Sequence, residues 1–128
     1  MEKILYKGNL IAIHITRITD GSIPVTDPSY PLQLVTLKHS QGKYLAAHYH
    51  KDTTRKTTKM QECLIVRKGL VKVDLYAPTG VKFIDITLKT GDVLILVNGG
   101  YGIHVISDCE LIEVKNGPFI EDKVLYSP

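Results

Sequence analysis

His48 and His50 stand two residues apart with Tyr49 between them, and Glu62 heads the apolar run Glu62-Cys63-Leu64-Ile65-Val66. In a β-strand, residues i and i+2 project to the same face, so both imidazoles would reach one ion while Tyr49 turns away. His104 lies on a later strand-like run. Imidazole nitrogens joined by one carboxylate suit a single divalent transition metal. Zinc, nickel, iron and manganese all accept such donors, and the donors alone do not choose among them. The plainer alternatives are a solvated histidine pair near a strand end and, for His104, a barrel-strand histidine bonded to a carbonyl.

Proton transfer calls for other groups. If His48 and His50 face inward, alternation also turns Tyr44 and Ala46 inward, and Tyr101 sits in the glycine-rich Gly100-Tyr101-Gly102. Tyr44 and Tyr101 are therefore the candidate catalytic hydroxyls, set against the commoner role of tyrosine in a core. The formal net charge is +3, and the segment Lys51 to Lys59 accounts for it, with Lys51, Arg55, Lys56 and Lys59 against Asp52. A basic, threonine-rich loop directly after the histidine pair would grip a phosphate through Arg55 and Lys56; the alternative is a solvated loop. The basic residues form no extended face interleaved with aromatics, which argues against nucleic acid. The two cysteines, Cys63 and Cys109, have no neighbours that mark a nucleophile and read as structural.

These side chains need a scaffold, and the pattern is β throughout. Ile11, Ile13 and Ile15 alternate with Ala12, His14 and Thr16, which places His14 on the exposed face of a strand ending near Ile18. Further strands are expected over residues 32–38, 43–49, 62–67, 70–76, 81–88, 93–97, 102–107 and 110–115. Turn signals lie between them at Asp20-Gly21-Ser22, Thr26-Asp27-Pro28, Gln41-Gly42, Lys68-Gly69, Pro78-Thr79-Gly80, Thr90-Gly91-Asp92 and Asn116-Gly117-Pro118. Many short strands with turns between them predict a sandwich or barrel. The 128 residues, 44% hydrophobic and 23% charged, read as one globular domain. No run of apolar residues is long enough for a membrane helix, and the N-terminus lacks the features of a secretory signal. A cytoplasmic protein is expected.

Two glycine-anchored stretches carry a resemblance. The first, about 42–69, opens GKYLAAHYH and closes ECLIVRKG; the second, 91–108, is GDVLILVNGGYGIHVISD. Together they resemble the two motifs of the cupin superfamily, whose first motif supplies two histidines and a glutamate and whose second supplies a third histidine. The resemblance, over roughly residues 30–122, implies a single-domain jelly-roll β-barrel with His48, His50, Glu62 and His104 as metal ligands. The chain departs from the pattern in several places, Asp108 at the usual asparagine among them. The insert Lys51 to Gln61 is longer than usual, Val97 stands at the usual proline, and Gly102 stands at the usual histidine, so that His104 comes two residues late. A bulge around Gly100-Tyr101-Gly102 would absorb that offset.

The run from Gly91 to Phe119 is similar to a subgroup of small cupins associated with surface-polysaccharide and sugar-nucleotide synthesis, in which a histidine is expected where this chain has Tyr101. The resemblance implies a metal-binding protein acting on a small polar metabolite, a carbohydrate or sugar nucleotide, by isomerase- or epimerase-like Lewis-acid chemistry. The alternatives are a non-catalytic sugar-binding module and an iron-dependent dioxygenase, because the fold alone does not decide function. A homodimer is expected, sharing the apolar strand Ile11 to Ile18.

Overall fold

The computed structural model describes residues 1–127 and is all-β, with no helix among them. Its eight strands are β1 (Glu2–Tyr6), β2 (Asn9–Ile15), β3 (Gly21–Pro24), β4 (Val35–Lys38), β5 (Glu62–Tyr76), β6 (Lys82–Lys89), β7 (Val93–Leu96) and β8 (Gly100–Lys115). The chain divides into two compact units, one built from residues 1–17 with 61 onward and the other from residues 18–60. No helix of the described residues is long and apolar enough to cross a membrane.

The larger unit is a six-stranded antiparallel sheet, strongly curled into a half-barrel, and β5 is its spine. One edge of β5 pairs first with β7, from Glu62↔Leu96 to Ile65↔Val93, and then with β6, from Leu70↔Lys89 to Tyr76↔Lys82. The other edge pairs with β8 along its whole length, from Glu62↔Lys115 to Tyr76↔Gly100. The sequence reading cut each of these long strands in two, at Lys68-Gly69 and at Asp108-Cys109. Both run on, and the expected breaks became a bend. Register shifts cluster between Val66 and Val71, where bulges increase the local twist. Gly69 adopts φ +102, and a Cβ there would strike the Asp108 carbonyl and lie 2.8 Å from Cys109 Cα. Only glycine permits that crossing.

The bend also shifts alternation by one on β5. Glu62, Leu64 and Val66 share the inner face before it, and Val71, Val73 and Leu75 after it. The inner apolar residues join Ile4, Leu88, Leu94 and Leu96 in one core. A two-residue turn joins the first two strands: Lys7 and Gly8, at φ 48 and φ 81, close the β1–β2 hairpin in the conformation that suits the strand twist. β2 lies between β1 and β7, with Ile11, Ile13 and Ile15 all buried. The strand offered for sharing with a second subunit thus has both edges paired already. His14 is not exposed as its alternation suggested. Its Nε2 lies 3.1 Å from Asp92 Oδ2, an oxygen that also accepts from Lys89 N at 3.1 Å, so the pair ties β2 to the β6–β7 turn.

The smaller unit is a hairpin of β3 and β4, in register from Gly21↔Lys38 to Pro24↔Val35, followed by a long segment without strand or helix. Its loop is closed by Val25 N donating to Leu34 O at 2.8 Å and Leu34 N donating to Thr26 Oγ1 at 3.0 Å. Asp27 Oδ1 accepts from Ser29 N at 2.8 Å, the Asx turn expected of such a sequence. Residues 43–49, expected as a strand, are irregular. Alternation there is real but carries Ala46 and Ala47, poor strand formers, and no neighbour supplies the ladder that a strand needs.

Replacing Gly69 with alanine tests the bend. Gly69→Ala should cost about 2 kcal/mol or more, from the positive φ and the displaced Asp108 carbonyl. Urea unfolding should show a lower midpoint, and a midpoint equal to that of the wild type would show that the crossing does not need glycine.

Candidate functional site

Folding the β5–β8 ribbon back on itself brings residues from the two ends of β8 together on the inner face. Tyr101, opposite Leu75, and Glu113, opposite Leu64, are twelve positions apart on one strand, yet the Tyr101 hydroxyl donates to Glu113 Oε2. Lys115, opposite Glu62, places its Nζ 3.2 Å from Glu113 Oε1. The Glu62 carboxylate bears on the same phenol and on Lys115. A phenol, two carboxylates and one ammonium therefore rim an otherwise apolar face. Their formal charge is one negative unit at neutral pH.

Electrostatics sets what each group does. Burial pushes the Tyr101 phenol far above its ordinary range, and the Glu113 hydrogen bond and the Glu62 charge push it the same way. Tyr101 is thus held protonated and donates its hydrogen bond to Glu113. The Tyr101 hydrogen bond, followed by Lys115, holds the Glu113 carboxyl below the usual range, so it stays an acceptor. The C-terminal segment bears on the same group. Tyr126 stacks on Tyr76 with ring centroids 4.2 Å apart and planes 10° from parallel, and a Cβ at Gly100 would strike its ring and hydroxyl. From that segment the Lys123 charge acts on Glu113 and the Asp122 charge on Lys115.

The other expected residues lie elsewhere. His104 pairs with Lys72, whose neighbours Val71 and Val73 face the core, so His104 is on the outer face, opposite to that of Glu62. There its Nε2 is 2.6 Å from Asp74 Oδ2, and Lys82 Nζ is 3.0 Å from Asp74 Oδ1. These two partners hold the Asp74 carboxyl below the usual range, His104 first. No bulge forms at Gly100-Tyr101-Gly102; Tyr101 and Gly102 pair in unbroken register with Leu75 and Asp74. The late position of His104 thus resolves as a strand position on the far face.

In the smaller unit, His48 and His50 are both exposed, with ring centroids 5.2 Å apart and edge-on, and His48 Nδ1 is 2.9 Å from Ala46 O. The pair comes together without the strand that was expected to align it. Tyr44 is exposed and its hydroxyl accepts from Ala47 N at 3.3 Å. Arg55 Nη1 donates to Thr53 O at 3.3 Å, and Lys56 is exposed on the same loop. Among the described residues, no three His, Cys, Asp or Glu side chains are gathered to hold a metal ion. Of the expected ligands in the larger unit, Glu62 and His104 lie on opposite faces of the sheet. Both cysteines are free, with Cys63 buried.

The sequence offers Glu62 as a metal ligand and Tyr101 as a catalytic hydroxyl, and does not single out Glu113 or Lys115. The signal was present: Leu111, Glu113 and Lys115 alternate on one strand face, where two charges follow an apolar residue. Nothing local says that this face curls over onto Tyr101. No protein-family model matches the chain, no curated protein matches it, and no solved structure matches it.

The Tyr101 phenol provides a direct test. Its raised value means that the stability it contributes is complete below the unfolded tyrosine value of about 10 and is lost as the pH rises above it. A titration of phenolate absorbance should therefore show Tyr101 ionising last, well above pH ~10 and after Tyr126, whose value burial also raises. Tyr101→Phe should remove that late step. If the late step survives in the variant, another tyrosine is responsible.

Proposed function

We propose that this chain is a cupin-type barrel protein that binds a small polar metabolite, with carbohydrate as the ligand class. The observation that carries the reading is the Tyr101–Glu113 hydrogen bond on the inner face, with Glu62 and Lys115 beside it. A protonated phenol and an ammonium donate, and two carboxylates accept. Vicinal hydroxyls of a sugar both donate and accept, so they match such a group, while the adjoining apolar face suits the C–H face of a pyranose ring. A group of donors and acceptors beside an apolar face supports recognition best. Isomerisation or epimerisation needs a base from elsewhere.

Ligand-observed NMR with a panel of monosaccharides tests the reading. One or more should bind with a Kd of roughly millimolar or tighter, and Glu113→Gln should weaken binding about tenfold by removing a charge-assisted acceptor. The site reading is lost if no sugar binds, or if Glu113→Gln binds as the wild type does.

A second reading concerns the histidine pair. The imidazoles of His48 and His50, exposed with ring centroids 5.2 Å apart, would offer two donors to a divalent transition metal. Which chemistry such an ion would supply depends on its remaining ligands, and a Lewis acid toward a carbonyl or adjacent hydroxyls is the role expected. Protein loaded with zinc or nickel and then gel-filtered should retain metal. The variant with His48→Ala and His50→Ala together should retain none, and equal retention by the two would place the ion elsewhere.

A further inference from the structure

The β3–β4 hairpin carries a feature that neither reading uses. A cavity of about 370 Å³ opens at its end, lined by Asp20, Gly21, Lys38, His39, Ser40 and Lys43. Four hydrogen-bonding side chains in that lining can serve an anion: two ammonium groups, an imidazole and a hydroxyl. The fifth, Asp20, lies 3.4 Å from Lys38 Nζ, so its charge is met within the site. Lys43 forms no ion pair among the described residues. The formal balance of the lining is one positive unit with His39 neutral.

Local structure holds these groups in place. Lys38 and Gly21 are directly paired across the ladder, so Lys38 projects beside the chain turn at Asp20-Gly21. His39 follows the last ladder pair, with its Nε2 3.0 Å from Ser22 Oγ. That contact orients the ring beside the hairpin. Lys43 is returned toward the hairpin by a turn in which its own N donates to Ser40 O at 3.2 Å, with Gly42 at φ +90. The sequence offers no motif for this arrangement, because Asp20 and Lys43 are brought together by hairpin register and a tight turn.

We infer that this cavity is a phosphate-binding site, suited to the terminal phosphate of a phosphorylated small metabolite such as a sugar phosphate. A tetrahedral oxyanion presents several acceptor oxygens at once, and Lys38, Lys43, Ser40 and His39 all line the one cavity. A planar carboxylate would use fewer of them. Ammonium groups engage phosphate as point charges with charge-assisted bonds. The site is distinct from the basic loop at residues 51–59, to which sequence reasoning assigned phosphate through Arg55 and Lys56. It stands apart from the carbohydrate reading, since none of its residues belongs to the inner-face group.

The test is a titration of the full chain with inorganic phosphate at constant ionic strength, followed by amide chemical shifts. Saturable shifts are expected at residues 20–22 and 38–43. Lys43→Gln should weaken binding about tenfold, Lys38→Gln should weaken it measurably, and Lys56→Gln should leave it unchanged. Dispersed spectra of each variant will show that it is folded. The inference is overturned by linear, unsaturated shifts, by shifts confined to residues 51–59, or by a loss in Lys56→Gln without one in Lys43→Gln. Because the readout uses phosphate alone, failure of sugar binding at Glu113 leaves its outcome unaffected.

Discussion

The close crossing of β5 and β8 at Gly69 is the constraint on which the larger unit depends. Two strands of fifteen and sixteen residues cannot stay flat and still enclose a core. Here the ribbon bends where the backbone of Gly69 meets that of Asp108 and Cys109, at a φ that a side chain would oppose. The register shifts beside it invert the alternation of β5 while keeping its apolar residues on one side. Had the register continued unshifted, Val71, Val73 and Leu75 would face outward and the core would be halved.

The same bend makes the inner-face polar group. Tyr101 and Glu113 belong to opposite ends of β8, and they meet only because the strand is curled. Once they meet, burial and then the Glu113 carboxylate push the phenol upward, while the phenol's hydrogen bond draws the Glu113 carboxyl below the usual range. Such mutual shifts cluster at binding and catalytic sites, and this pair lies at the rim of an apolar face with Glu62 and Lys115 within electrostatic reach. The outer face carries a separate pairing, in which Asp74 is engaged by His104 and Lys82. One strand thus serves two faces with different chemistry, and the assignment of each residue follows from alternation.

The identity of the fold class was legible in local pattern. Period-two alternation, β-branched residues and turn glycines announced β-strands at residues 62–67, 70–76, 81–88, 93–97 and 110–115, and strands occupy all of them. Boundaries failed where a glycine signal had two meanings. Gly80 and Gly91 end strands, whereas Gly69 bends one, and the residue type is the same in each. The β1 strand was missed because Lys3, Ile4, Leu5 and Tyr6 are too short a run to stand out without the hairpin turn that pairs them with β2. Residues 43–49 show the converse: alternation was clear, but alternation becomes a strand only when another strand accepts its hydrogen bonds.

The sequence by itself determined an all-β chain, the apolar positions of its core, and the candidacy of Glu62 and Tyr101. These rest on residue type and on spacing within a few positions, where strand geometry is fixed. Only the tertiary structure decided which face His104 occupies, that Glu113 and Lys115 stand beside Tyr101, and that Asp20, Lys38 and Lys43 line one cavity. Those relations join residues far apart in the chain or at opposite ends of a bent strand. They depend on register shifts and on a backbone crossing, which no local pattern encodes.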